Sequence, residues 1–401
     1  MNYDYSDTVK YLLDWYDNNR RFLPWREEPK PYYVWVSEIM LQQTRVEAVR
    51  VYFDRFISTL PTIKELADCE EEKLLKLWEG LGYYNRVRNL QKAAKLIEEE
   101  YDGQMPSDYD ELLRLPGIGS YTAGAIASIS FQIPEPAVDG NVLRVMKRVA
   151  GSFDDITKAS VKKQMESDLR EIMPKDRPGD FNQSLMDLGA TVCIPNGKPL
   201  CDKCPVMHLC KAFHNGTQML IPVKPEKKPR KIEDKTILLI EFNGHYAIRK
   251  RDSKGLLARL WELPNVEGKL SAMAVEELLY KEGYGDFTVQ SLGEGKHIFS
   301  HIEWHMVGYH IKFRQVLDGN VINNLDCVAD SKAYEIAKND SFAVLNDNCD
   351  KKNNQLNYKI FNVQNNFDML SNTDCIWASK DRIDKEFTLP SAFETYKKFI
   401  I

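Results

Sequence analysis

The 401-residue chain contains no run of 18 or more apolar residues, so it offers no stretch long enough for a membrane-spanning helix. Its first residues, MNYDYSDTVKYLLDWY, carry acids where a secretion signal needs a basic segment and an apolar core. The expected location is therefore the cytoplasm, with no membrane partner. Positive charge is not in excess either: 54 Lys and Arg stand against 59 Asp and Glu, a net charge of −5. A basic stripe is the usual footprint of a nucleic-acid binder. Composition alone thus favours an enzyme of small molecules, and any contact with nucleic acid must be made locally. No internal repeat is present.

Residues 1–221 contain the helical pattern. Apolar residues recur at three and four spacing over 37–56, 85–98 and 160–172, with Pro and Gly between the segments. The stretch 222–235 is rich in Pro and Lys and reads as an extended basic linker. Beyond it the period changes to two. TILLIEFNGHYAIRKR reads as a hairpin turning at Asn243-Gly244, KHIFSHIEWHMVGYHIKF as strand, and AMAVEELLYKEG as one helix. Residues 236–401 are thus an α+β domain. Within it 325–372, rich in Asn and Asp, reads as an insertion.

Four of the eight cysteines crowd into one loop, Cys193-x7-Cys201-x2-Cys204-x5-Cys210. In a reducing compartment such a cluster points to metal before disulfides. Structural zinc more often uses two CxxC knuckles, and only one is present. The spacing favours a [4Fe–4S] cluster over zinc and leaves both open.

In DYDELLRLPGIGSYTAGAIASIS an amphipathic helix meets Pro116-Gly117-Ile118-Gly119 before a helix of small residues. Gly117 and Gly119, with Ser120 opening that helix, form a phosphate site made from backbone amides, or else a tight turn between packed helices. Two carboxylates stand out. Glu38 is placed at the start of the helix SEIMLQQTRV and Asp139 just before NVLRVMKRV. Singly they read as a first-turn acid and an N-cap. Paired across a cleft they are what glycosidic bond cleavage needs, one protonated acid and one ionised carboxylate.

Taken in order, RRFLPWR, PYYVWVSEIMLQQTRV, LWEGLGYYNRVRNL, LPGIGSYTAGAIASISF, VDGNVLRV and FNQSLMDLGATVC, followed by the cysteine loop, LLARLWELP and HIFSH, resemble the MutY-type adenine DNA glycosylases of the helix-hairpin-helix superfamily. The resemblance implies an all-α helix-hairpin-helix glycosylase domain with a [4Fe–4S] loop, joined to an α+β Nudix-like domain. It implies Glu38 as the acid that protonates adenine. Asp139 would stabilise the cationic sugar, with Tyr121 and Asn141 as its supports. Leu41 and Gln43 would be wedges, Tyr83 an intercalator and Arg26 a contact to the flipped adenine. Gly117, Gly119 and Ser120 would hold the phosphate, and Cys193, Cys201, Cys204 and Cys210 the cluster. Phe299, Ser300 and His301 match a loop that senses 8-oxoguanine. The partner would be double-stranded DNA with adenine opposite 8-oxoguanine or guanine, bound by a monomer.

Two further absences refine this. Endonuclease III-like glycosylase/lyases carry a lysine two residues after the last hairpin glycine, and here Tyr121 stands there, leaving no amine for a Schiff base. The helix AMAVEELLYKEGYG lacks the glutamate-rich box of a pyrophosphohydrolase, so the second domain should read DNA without hydrolysing nucleotides. The first cysteine gap is x7 where the family usually has x6. The rival readings are such a glycosylase/lyase and a non-enzymatic Fe–S protein that only binds damaged DNA.

Overall fold

The computed structural model describes residues 3–226, 229–282, 284–314 and 375–401. The expected insertion, 325–372, lies outside the described residues. The chain forms two compact units, Met1–Lys228 and Pro229–Ile401.

The first unit is helical and is organised around the helix Pro178–Thr191. Eleven of that helix's fourteen residues, from Pro178 to Gly189, are buried, including Asn182, Gln183, Ser184 and Asp187. It packs on Thr8–Asn19, Ser120–Phe131 and Gly140–Ala150. Its Gly189 lets the Gly140–Ala150 helix come close, because a Cβ there would lie 2.8 Å from the Asn141 Cβ. The helices Asn85–Glu100 and Ala159–Ile172 cover the stretches that sequence periodicity marks as helical.

The expected helix over 37–56 is instead two, Pro31–Leu41 and Val46–Thr59. The break carries Gln43 at φ 60°, a conformation no helix interior accepts. Apolar spacing runs on across it and so cannot reveal it. Glu38 therefore belongs to the end of its helix and not the start. The helix dipole there opposes a negative charge, which removes the ordinary structural reason for an acid at this position.

In the second unit a seven-stranded sheet is formed among the described residues, in the order β3-β2-β1-β6-β5. The strands are β1 Lys231–Phe242, β2 His245–Lys250, β3 Trp261–Glu262, β4 Asn265–Glu267, β5 Phe287–Ile298, β6 Ile302–Phe313 and β7 Cys375–Ser379. β4 pairs with β1 and β7 with β2. Only β1 and β6 run parallel; every other pair is antiparallel. Asn243 at φ 50° and Gly244 at φ 74° make the β1–β2 turn, since asparagine tolerates positive φ and glycine, lacking a Cβ, adopts it freely. The helix Ala272–Lys281 covers one face through Val275 and Leu279. The expected basic linker is shorter than its composition suggests. Lys231 to Lys235 already pair with Ile302 to Met306, since a strand ladder is made by backbone groups whatever the side-chain charge.

Candidate active site

Glu38 is 4% exposed. Burial pushes its carboxyl up to about 7, against a hydrogen bond from Tyr121 and the nearby Arg26, while the charge of Asp139 adds to the rise. The Tyr121 hydroxyl donates to Glu38 Oε2 at 2.5 Å. This differs from the expectation that Tyr121 supports Asp139. Tyr121 lies one residue into the Ser120–Phe131 helix, which packs on the Glu38 helix, so its side chain reaches Glu38 first. Because that bond favours the ionised carboxylate, Tyr121→Phe should move the upper pH midpoint of activity further up, measurable as a rate–pH profile.

Asp139 is the N-cap of Gly140–Ala150. Its Oδ1 accepts from the Asn141 and Val142 backbone N–H groups at 2.8 Å, and its Oδ2 from Asn141 Nδ2 at 2.8 Å. Burial raises its pKa in spite of these bonds. The carboxylate singled out in the sequence is thus the cap of this helix, fixed by three hydrogen bonds. Asn141 is held in turn: Arg144 Nη2 donates to Asn141 Oδ1 at 3.1 Å, and Arg144 Nε to the Cys193 carbonyl at 2.9 Å. A hydrogen-bonded chain therefore links the cysteine loop to Asp139.

Arg26, expected to meet a base, is committed elsewhere. Its two terminal nitrogens donate to the Asp187 oxygens at 2.8 and 2.9 Å, and Arg21 shares the same carboxylate. Asp187 is fully buried, yet its two arginines outweigh burial and hold its pKa below the usual carboxylate range. Sequence reasoning missed Asp187. Its signal is an acid in the middle of a buried face, where an unpaired charge would be prohibitive.

The hairpin forms as expected. Gly117 sits at φ 80°, and a Cβ there would come within 2.7 Å of the Asn89 Cβ. Gly119 caps the Ser120–Phe131 helix in extended backbone. The Ser120 hydroxyl donates to Glu166 at 2.7 Å and accepts from Lys162 at 3.0 Å. Leu41 is half-buried, Gln43 exposed and Tyr83 51% exposed.

Cys193, Cys201, Cys204 and Cys210 line one cavity with Arg148, Val145, Val149 and Leu188. Arg148 Nη1 donates to Cys193 Sγ at 3.3 Å. Among the described residues no three metal-binding side chains already close on a common point. Four thiols with two arginines beside Cys193 suit a tetrathiolate metal group, whose negative charge the guanidinium groups would offset.

In the second unit Phe299 to His301 make the β5–β6 turn, closed by the Phe299 N–H donating to the Ile302 carbonyl at 2.8 Å. The Phe299 ring packs against Trp304 at 4.9 Å and His297 at 4.6 Å, while Ser300 and His301 are exposed.

Residues 36–174 match the HhH-GPD superfamily of base excision DNA repair proteins and residues 236–343 the NUDIX domain, which sets the class. The chain is 37% identical to the adenine DNA glycosylase of Mus musculus over 361 residues, covering 75% of this chain and 70% of that one. It is 35% identical to the adenine DNA glycosylase of Buchnera aphidicola subsp. Schizaphis graminum over 297 residues, covering 74% and 85%. A thermostable thymine-DNA glycosylase of known structure is 28% identical with a TM-score of 0.48, covering 52% of this chain and 96% of that one. The chain belongs to the adenine DNA glycosylase family. Among the described residues no helix is long and apolar enough to cross a membrane.

Proposed function

We propose that this protein is a base excision repair enzyme that removes adenine facing 8-oxoguanine, or guanine, in double-stranded DNA, and that it works as a monomer. It hydrolyses the N-glycosidic bond and leaves the strand intact. The observation that carries this reading is Glu38, a buried carboxyl raised to about 7 with the half-buried Asp139 carboxylate close enough to add to that rise.

An adenine inside a duplex hides its glycosidic bond, so the base is turned out of the stack and side chains fill its place. Leu41, Gln43 and Tyr83 take that role, and the hairpin amides at Gly117 and Gly119, with Ser120, hold a backbone phosphate. Arg26, held by Asp187, contributes positive charge near Glu38. Glu38, which its raised pKa of about 7 keeps substantially protonated near neutral pH, gives its proton to adenine N7 as the C1′–N9 bond breaks. The base leaves neutral and the sugar carries the positive charge. Asp139, ionised and fixed by Asn141, stabilises that cation until water adds to C1′ and its released proton restores the Glu38 carboxyl. Tyr121 orients Glu38 and offers no amine, so no covalent sugar adduct forms.

Phe299, Ser300 and His301 read the opposite base. The 8-oxo lesion carries a hydrogen on N7, which the Ser300 hydroxyl accepts, whereas guanine N7 is itself an acceptor. Ser300→Ala should reduce the preference for 8-oxoguanine over guanine by about 3- to 10-fold, the worth of one hydrogen bond, in paired single-turnover assays.

Cys193, Cys201, Cys204 and Cys210 hold a [4Fe–4S] cluster that staples a loop with little core of its own. Purified protein should absorb broadly in the visible, and Cys204→Ser should lose that colour and melt earlier. A colourless zinc-loaded sample would contradict the iron assignment.

The function as a whole is tested on a duplex with adenine opposite 8-oxoguanine, incubated with and without hot alkali. Adenine release with strand scission only after alkali is expected. Scission without alkali would require a lyase nucleophile, and tight binding without release would favour a damage-binding protein.

A further inference from the structure

Arg86 is the most unusual basic residue in the first unit. It is half-buried, and among the described residues its Nε has no hydrogen-bond partner and no carboxylate pairs with its guanidinium. Its partners are backbone carbonyls. Nη1 donates to Ile39 at 2.8 Å, Met40 at 3.0 Å and Gln42 at 2.7 Å. Nη2 donates to Leu81 at 2.9 Å and Gly82 at 3.1 Å. The first three are the end of the Glu38 helix, whose last carbonyls have no partners within the helix. The other two belong to the loop before Asn85–Glu100.

Each of the two strands of backbone so fastened carries an exposed side chain on strained backbone. Gln43 is at φ 60° and Tyr83 at φ 47°, with Gly80 and Gly82 also at positive φ. Such conformations persist only where surrounding structure imposes them. The guanidinium also faces the Tyr83 ring at 5.8 Å and the Trp78 ring at 5.3 Å, and Trp78 Nε1 donates to the Gly82 carbonyl at 3.1 Å. Aromatic and backbone contacts thus hold the guanidinium between the two loops.

We propose that Arg86 is a positioning residue for base extrusion, clamping the Gln43 and Tyr83 loops into one rigid wedge and fixing that wedge to the end of the Glu38 helix. The inference rests on the adenine glycosylase reading given above. A wedge whose halves move independently offsets less of the cost of unstacking, so losing the clamp slows extrusion more than bond breaking.

The test is single-turnover adenine release by the full chain, comparing wild type, Arg86→Gln and Arg86→Lys. One duplex has adenine opposite 8-oxoguanine in fully paired surroundings. The other carries a mismatched pair on each side of that adenine, so its stack is already loosened. Arg86→Gln should lose about 10- to 100-fold on the paired duplex, the scale of a small misplacement of reacting groups. The deficit should shrink about fivefold or more on the loosened duplex, where extrusion costs least. Arg86→Lys, which keeps the charge but cannot meet both loops, should fall between; if Arg86→Gln fails to fold, as thermal melting would reveal, Arg86→Lys decides by the same comparison. Equal deficits on the two duplexes, or none, would overturn the proposal. Wild-type protein that releases no adenine from either duplex would overturn the glycosylase reading instead.

Discussion

Glu38→Gln should release adenine about 10²- to 10⁴-fold more slowly than the wild type while still binding the mispaired duplex, because a glutamine keeps the shape and loses the transferable proton. A protein that only binds damaged DNA would keep its whole function. The same substitution should stabilise the protein above neutral pH. The folded-state pKa is raised, from 4.5 to about 7, so the folded protein holds this proton more tightly than the unfolded chain. Its stability therefore falls as pH rises from about 4.5 and the loss is complete above about 7, amounting to about 3 kcal/mol. Glu38→Gln removes that loss, so the variant should melt higher than wild type at pH 8 and about equally at pH 4. Lost activity with gained stability marks a residue kept for chemistry.

Asp139→Asn separates the two roles of that side chain. Asparagine caps helices about as well as aspartate, so the Gly140–Ala150 helix should remain, and melting should fall only by the loss of the bond from Asn141 Nδ2, which an amide nitrogen cannot accept. The negative charge facing the sugar is gone, and adenine release should fall about 10²- to 10³-fold, the usual cost of removing one transition-state electrostatic partner. A variant that melts normally but has lost turnover assigns Asp139 to the reaction. A variant with unchanged turnover assigns it to the cap alone.

Much of this is legible in the sequence, and the two misplaced side chains share a cause. The two-unit division follows from the change of period near residue 230, and the Asn243-Gly244 turn and the Gly117 hairpin from residues whose backbone freedom leaves few alternatives. What was misread depends on partners distant in sequence. Tyr121 was assigned to Asp139 and bonds Glu38, 83 residues away. Arg26 was assigned to a base and is tied to Asp187, 161 residues away. Spacing along a chain carries no information about such pairs. The break at Gln43 was missed for the opposite reason. It is local, but apolar residues on both sides keep helical spacing, and glutamine is not a residue from which a positive φ is expected. That break moved Glu38 from the favourable end of its helix to the unfavourable one, which strengthens its reading as a proton donor.

The central claim is that a buried, protonated Glu38 drives base release, and the most direct test is kcat/KM for adenine release against pH, which reports groups of the free enzyme. A descending limb is expected with a midpoint near 7, falling tenfold per pH unit beyond it, shifted upward in Tyr121→Phe and absent from the residual rate of Glu38→Gln. A wild-type profile flat through pH 6 to 9, or a descending limb that survives in Glu38→Gln, would contradict it.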